Sequence, residues 1–149
     1  MIEHNSEAPA GREVLEGAWA GWLVGELDPY EENVGPFYRR KDEHGNRQSA
    51  FRVEKKHLNN SGFVHGGCLM TFADFSLFWI AHEYTRVEPA VTASFNSEFI
   101  SSARENDLLQ SEGEVVRAAS SLIFVRGLIT NLGKPVLTYS AIIKKIHRA

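Results

Sequence analysis

The chain has 149 residues, 43% of them hydrophobic and 23% charged, which is typical of one globular domain and excludes a disordered or fibrous chain. Its 16 basic and 19 acidic residues give a net charge of −3, which argues against a nucleic-acid-binding protein because such proteins are normally strongly basic. The single cysteine, Cys68, excludes a disulfide framework and a cysteine-based zinc site, so we expect a reducing compartment, the cytoplasm.

The hydropathy pattern predicts a soluble protein without a membrane partner. The first residues lack the basic start and the apolar run of a secretory signal. The most apolar stretch, 63–81, contains His65 and Asp74, and an acid in the middle of a membrane span would be energetically costly.

The sequence pattern of the first 33 residues predicts an N-terminal extension that precedes the main domain. Residues 1–10 are polar and are expected to form a frayed tail. Within 12–24 the apolar side chains recur at helical spacing, which predicts a short amphipathic helix that Pro29 does not allow to continue. We therefore divide the chain into an N-terminal tail and helical extension, 1–33, and a main domain, 34–149.

The sequence of the main domain predicts one long helix and an antiparallel sheet. A helix predicted at 67–83 carries apolar side chains on nearly all sides, so it is expected to be buried nearly all round. Segments bounded by turn signals, with short connections between them, predict six strands at 34–41, 47–57, 90–101, 105–118, 121–131 and 135–146. The fold class is therefore α+β. One sheet covers only one side of the helix, so a second copy of the chain is expected to cover the rest.

Candidate chemistry concentrates in residues 59–67 and in the helix that follows. Gly66 and Gly67 open this helix, and the unpaired N–H groups and positive dipole end of a helix favour an oxygen that carries negative charge. Asp74 lies about two turns into the apolar helix, where a carboxylate is costly unless the protein uses it. Helix-terminal donors and a buried acid together favour a catalytic site.

Each candidate residue also has a structural alternative. His65 could be a hydrogen-bonded core histidine, and Asn59 could cap the turn before the helix. Asp74 could be a buried acid paired with Arg117 or Arg126. The pattern of the whole segment is more informative than any one residue.

The motif N-x-x-G-x-x-H-G-G at 59–67, followed by Asp74, resembles the signature of hotdog-fold acyl-CoA thioesterases, in particular those of the phenylacetate-degradation type. The resemblance covers roughly 34–146. It implies a hotdog fold, in which a sheet of about six antiparallel strands wraps a long central helix, preceded here by the short N-terminal helix. It also implies an enzyme that hydrolyses an acyl-S-CoA thioester to a carboxylic acid and free coenzyme A.

The resemblance implies a role for five positions. The Gly66 N–H and the side-chain amide of Asn59 would form an oxyanion hole for the thioester carbonyl. His65 would orient Asn59 or attend the leaving sulfur. Asp74, contributed by the partner subunit, would act as general base on water or as the nucleophile, and Thr92 would help to position the water.

Other residues are expected to bind parts of the substrate. Gly67, Phe75 and Phe78 are expected to contact it, with the phenylalanines as walls of an acyl tunnel. The basic runs 39–41 and 144–148 could hold the phosphates of coenzyme A. The histidines are scattered along the chain, so no metal site is predicted, and no cofactor is expected.

The main alternative function is a hotdog module that binds acyl-CoA without hydrolysing it. A dehydratase is a third possibility, which the spacing of His65 and Asp74 does not favour. The sequence does not distinguish aromatic from aliphatic acyl groups, or coenzyme A from a carrier-protein thiol. The apolar helix predicts a homodimer with two equivalent cross-subunit active sites, and the resemblance implies a homotetramer formed from two such dimers.

Overall fold

The computed structural model of the chain describes residues 11–25 and 28–146, and in it a single sheet packs on one long helix. The polar tail 1–10 lies outside the described residues. The strands are β1 (Arg12–Glu13), β2 (Leu23–Val24), β3 (Tyr38–Lys41), β4 (Arg47–Arg52), β5 (Ala90–Phe99), β6 (Leu108–Ala118), β7 (Leu122–Asn131) and β8 (Lys134–Lys145). The helices are α1 (Pro29–Val34), α2 (Gly66–Ile80) and α3 (His82–Thr85), and a 3₁₀ turn covers Lys55–His57.

The sheet has the strand order β1-β2-β3-β4-β6-β7-β8-β5, and its pairings are antiparallel. The six longer strands, β3 to β8, confirm the six predicted ones. The strand predicted at 47–57 is shorter, because the chain leaves the sheet after Arg52 and forms the 3₁₀ turn. Strand β5 stands at one edge of the sheet, with β8 as its only partner within the described ranges. One side of this ten-residue strand is therefore an open edge.

Helix α2 forms the centre of the hydrophobic core, close to the helix predicted at 67–83. Phe72 and Leu77 are fully buried among the inward-facing side chains of the sheet. Full burial of one such side chain contributes about 1.5–3 kcal/mol. The other face of α2 is less covered, since Met70 is 42% exposed and Asp74 is half-buried. Within the described ranges, no helix is long and apolar enough to cross a membrane.

The prediction of a helix at 12–24 is wrong. Strands β1 and β2 pair there instead, with Arg12 opposite Val24, and turns connect them. Gly17 and Gly21 have φ values of +83° and +84°, which glycine adopts readily and which a right-handed helix does not contain.

Two tryptophans explain the misleading helical spacing. The Trp19 ring stacks on Tyr38 with 3.9 Å between ring centroids, and the Arg40 guanidinium lies 4.2 Å from the centroid of the Trp22 ring. Tyr38 and Arg40 are two residues apart on β3, so they share one face of that strand. The tryptophans are therefore spaced to cover a strand face.

A short helix does occur in the extension, but it begins at Pro29 instead of ending before it. Proline suits the first position of a helix because its missing N–H would have no partner there. Asp28 caps α1, since its Oδ1 accepts a hydrogen bond from the Glu31 N–H at 2.8 Å. At the other end the Val34 carbonyl accepts a hydrogen bond from Nε2 of the buried His57 at 2.7 Å. The helix packs on α2, which brings Glu31 beside the central helix.

Candidate active site

The start of α2 carries one backbone donor that is engaged and one that is open. Nδ1 of His65, the N-cap residue, accepts a hydrogen bond from the Gly67 N–H at 2.8 Å. The neutral His65 ring therefore carries its proton on Nε2. The Gly66 N–H makes no hydrogen bond within the described residues. Gly66 is thus the helix-terminal donor that a ligand oxygen could use.

Asn59 holds the turn that leads to His65. Its Oδ1 accepts hydrogen bonds from the N–H groups of Ser61, at 2.9 Å, and Phe63, at 3.1 Å. The alternative in which Asn59 caps this turn is therefore confirmed for Oδ1. The amide Nδ2 has no hydrogen-bond partner among the described residues, so the same side chain still offers a donor. We call Asn59, His65 and Gly66 the donor group.

Asp74 is held by Thr92, which lies on β5. The Thr92 hydroxyl donates a hydrogen bond to Oδ1 of Asp74 at 2.6 Å. Burial raises the pKa of the Asp74 carboxyl, the Thr92 hydrogen bond lowers it, and the negative charge of Asp28 raises it. The predicted alternative of an ion pair with Arg126 is wrong, because Nε of Arg126 binds Oε1 of Glu114 at 2.6 Å. We call Asp74 and Thr92 the base group.

Two cavities, each of about 410 Å³, meet beside Asp74. Both are lined by Asp28, Glu31 and Asp74. The first extends along α2 past side chains that include Phe75, Phe78 and Trp79. The second extends toward the start of the helix past residues that include Gly67, Met70, Thr71 and, from β5, Phe95. The residues predicted to contact substrate, Gly67, Phe75 and Phe78, thus line the cavities on either side of Asp74.

A third cavity of about 500 Å³ lies at the start of α2, where His65 and Lys56 contribute to its walls. Cys68 also lines this cavity, and burial raises the pKa of its thiol to about 12. This thiol is therefore protonated near neutral pH and is a poor nucleophile.

The basic run 39–41 does not form an exposed patch. Arg39 is only 4% exposed, and Arg40 lies over the Trp22 ring. In the run 144–148, Lys145 lies 4.0 Å from Glu88, and residues 147–149 are outside the described ranges.

The donor group and the base group are separated along α2. Asp74 follows Gly66 by eight residues of helix, which is a rise of about 12 Å. Reacting atoms must approach to about 3–3.5 Å. Gly66 and Asp74 of one chain therefore lie well apart along the axis of α2.

Sequence comparisons identify the family. A family model described as the thioesterase superfamily matches residues 61–138, just over half of the chain. A Pseudomonas aeruginosa protein named as a candidate esterase is 32% identical over 97 residues, which cover 64% of this chain and 72% of that protein. The chain belongs to the thioesterase superfamily.

Solved structures show that this superfamily member has the hotdog fold, as its sequence motif predicts. The Escherichia coli PaaI protein of the phenylacetic acid degradation operon has a TM-score of 0.70 and 20% identity, covering 82% of this chain and 87% of PaaI. A hypothetical thioesterase of Streptococcus pneumoniae, in a crystal structure with coenzyme A, has a TM-score of 0.65 and 22% identity, covering 75% of this chain and 87% of that protein.

Glu31 is a site residue that the sequence reasoning missed. It lies on α1, outside the range matched by the thioesterase-superfamily model. Its pKa is raised to about 7, first by burial, then by the negative charges of Asp28 and Asp74, while Arg39 opposes the shift. The order Asp28-Pro29 followed by acids is a helix-start signal that could have located α1. The contact between α1 and α2 has no local signal.

Proposed function

We propose that this thioesterase-superfamily member hydrolyses acyl-CoA thioesters to a carboxylic acid and free coenzyme A, with Asp74 as the general base. The observation that carries the proposal is the hydrogen bond from Thr92 to Asp74 at the junction of two cavities. A half-buried carboxyl on an apolar helix, oriented by a hydroxyl and open to space for a ligand, has the features of a base that acts on water.

The surroundings of Asp74 suit removal of a proton from water. Burial makes the carboxylate more basic by raising its pKa, while the Thr92 hydroxyl helps to hold it ionised. Because the hydroxyl occupies Oδ1, the other oxygen is the one to accept the proton. This arrangement leaves Oδ2 available for the role that we propose, removal of a proton from water.

The donor group is suited to the negative charge that develops on the thioester oxygen. We assign the two donors to the Gly66 N–H and to Nδ2 of Asn59, since the Gly67 N–H is engaged by His65. Each correctly placed donor contributes about 3–4 kcal/mol to transition-state stabilisation. The proposed role of His65 is to cap α2, so that the Gly66 N–H is presented to the ligand.

A complete site requires two copies of the chain in this proposal. The rise of about 12 Å between Gly66 and Asp74 separates the donor group from the base group, which favours a base group contributed by a partner. The open edge of β5 and the exposed Met70 on α2 offer surfaces for that partner. We propose a two-fold symmetric homodimer with two cross-subunit sites, and association of two dimers into a tetramer stays a prediction.

The comparisons support coenzyme A thioesters as the substrate class. One structural relative contains coenzyme A, and another comes from a phenylacetic acid degradation operon. In this chain the aromatic walls formed by Phe75, Phe78 and Trp79 are suited to the acyl group.

A thiol-release assay on a panel of acyl-CoAs tests the proposal. We expect release of coenzyme A from at least one aromatic or aliphatic acyl-CoA, and loss of that release in Asp74→Asn. Calorimetric binding of acyl-CoA with no thiol release by the wild-type protein would instead support the non-catalytic binding module.

Mixed dimers test the cross-subunit arrangement. Asn59→Asp and Asp74→Asn chains are coexpressed with different affinity tags, and the mixed dimer is purified through both tags. The cross-subunit arrangement places both wild-type residues in one of the two sites, so the mixed dimer should regain about half of the wild-type activity. A mixed dimer as inactive as its two parents, or a stable monomer in sedimentation equilibrium, would contradict the arrangement.

A further inference from the structure

We propose that Glu31 is the catalytic acid that works opposite Asp74: it holds a proton while Asp74 is ionised, and it delivers that proton to the departing sulfur. This inference rests on the proposed thioester hydrolysis and assigns a chemical step to the N-terminal extension, which the superfamily match does not include.

The geometry places Glu31 where the scissile bond would lie. The two cavities share only the lining residues Asp28, Glu31 and Asp74. If the acyl group of the substrate occupies one cavity and the coenzyme A portion occupies the other, the thioester group lies where the two cavities meet. Both carboxyls then face it, whichever arm takes which cavity. Asp28 is already engaged, because its Oδ1 caps α1.

Helix α1 holds Glu31 in a defined position. The Glu31 N–H binds Asp28 Oδ1 at 2.8 Å, and the Glu31 carbonyl accepts the Gly35 N–H at 2.8 Å. The hydrogen bond from His57 to Val34 attaches the end of the helix to the main domain. A positioned backbone on both sides of the residue is what an acid at a reaction site requires.

The surroundings assign the proton to Glu31 and the charge to Asp74. Within the described residues, the titratable and charged groups that face Glu31 or line its two cavities are Asp28, Tyr30, Glu32, Arg39, Asp74, His82 and Arg86. Two carboxyls at one junction disfavour simultaneous ionisation. Burial raises the pKa of both carboxyls, but Asp74 also receives a hydroxyl hydrogen bond that favours its charged form. Glu31 has no such donor among the causes of its shift, and the negative charges of Asp28, Asp74 and Glu32 favour its protonated form. Carboxyls with such different environments take opposite roles in acid–base catalysis.

The proposed steps conserve atoms and charge. Asp74 takes one proton from water as the water oxygen forms a bond to the carbonyl carbon, and the carbonyl oxygen becomes the oxyanion. When the oxyanion collapses, the C–S bond breaks and its electron pair goes to sulfur, which takes the proton from Glu31. The products are the carboxylic acid and the thiol. Proton transfer from Asp74 to ionised Glu31 restores both groups.

The test compares Glu31→Gln with the neighbouring Glu32→Gln on two thioesters of the same acid. One thioester is the acyl-CoA selected by the panel assay, and the other is its 4-nitrothiophenyl thioester, whose thiol is far more acidic and leaves without help. We expect Glu31→Gln to lower kcat for the acyl-CoA about 10²-fold, the lower end for acid–base catalysis, and to leave the nitrothiophenyl reaction nearly unchanged. Glu32→Gln should leave both rates nearly unchanged below pH about 7, because the charge of Glu32 is the smallest influence on the pKa of Glu31.

The pH profile supplies a second readout. Because Glu31 must be protonated and its pKa is about 7, wild-type kcat for acyl-CoA should fall as pH rises above about 7. Glu31→Gln should lack this alkaline decline. Equal losses on both thioesters, or an alkaline decline that persists in Glu31→Gln, would overturn the acid role while leaving thioester hydrolysis intact. No thiol release by the wild-type protein on any acyl-CoA would overturn both proposals.

Discussion

Replacement of Asp74 by Asn removes one negative charge from the middle of α2 while it keeps the side-chain volume. The Asn carbonyl oxygen can still accept the hydrogen bond that Thr92 donates to Oδ1. The raised pKa of Asp74 means that the folded protein disfavours the charged form. This destabilisation is present above the folded pKa and disappears as pH falls below the unfolded value. At neutral pH, Asp74→Asn should therefore leave Tm unchanged or raise it.

The effect on turnover should be large, because an amide cannot take a proton from water. Loss of a general base typically costs about 10²- to 10⁴-fold, or about 3–5 kcal/mol of transition-state stabilisation. The half-buried position of Asp74 limits replacement of the base by bulk solvent. We expect kcat to fall by at least about 10²-fold while KM changes little, since the lost interaction acts in the transition state.

Tm and thiol release measured on one preparation separate catalysis from structure. Glu105→Gln, which removes the charge of an exposed acid outside the cavities, is the matched control and should retain wild-type turnover. If Asp74→Asn keeps turnover within about threefold of wild type, Asp74 is not the base. A Tm lowered by several degrees with turnover intact would identify Asp74 as a purely structural residue.

Substitutions at two further positions test the proposed roles of Thr92 and Asn59. Thr92→Val removes the hydrogen-bond donor to Asp74, so the pKa of Asp74 should rise and the acidic limb of the kcat profile should move to higher pH. At neutral pH, kcat should fall about tenfold or more. Thr92→Ser keeps the hydroxyl and should restore the pH profile and kcat. Asn59→Asp keeps the oxygen that accepts from Ser61 and Phe63 but loses the Nδ2 donor, so Tm should hold while kcat falls about 10²–10³-fold. Asn59→Ala should lower both Tm and kcat. An Asn59→Asp protein with wild-type kcat would show that Asn59 is not part of the oxyanion hole.

The main domain could be predicted from local pattern because its elements are long and periodic. Helix α2 carries apolar side chains on most of its surface, and β5 to β8 are separated by short turn signals, so each element has its own signature. The pairing of Thr92 with Asp74 could be expected only through the family motif. Eighteen residues separate the two, and contact between a helix and a strand depends on how the sheet packs.

The extension was mispredicted for two local reasons. The spacing of Trp19 and Trp22 matches a helix period by coincidence, since both rings pack on residues of β3. Pro29 after an apolar helical pattern predicts a helix end, whereas proline at the first helical position is a start signal when a capping Asp28 precedes it. Glu31 could not be identified as a site residue without the tertiary contact that sets α1 against α2.

The contact of α1 with α2 means that the main domain and the N-terminal extension contribute different groups to the proposed site. The range matched by the superfamily model contains Gly66, Asp74 and Thr92, which are the proposed donor, the proposed base and the hydroxyl that binds that base. The protonation of a carboxyl is determined by the charges around it, and for Asp74 those charges include Asp28, which lies outside that range. A hotdog core with the same base and a different extension would therefore meet a different electrostatic environment at the same carboxyl. The pH dependence of kcat that we predict for this chain therefore depends on α1 and its capping residue as much as on α2.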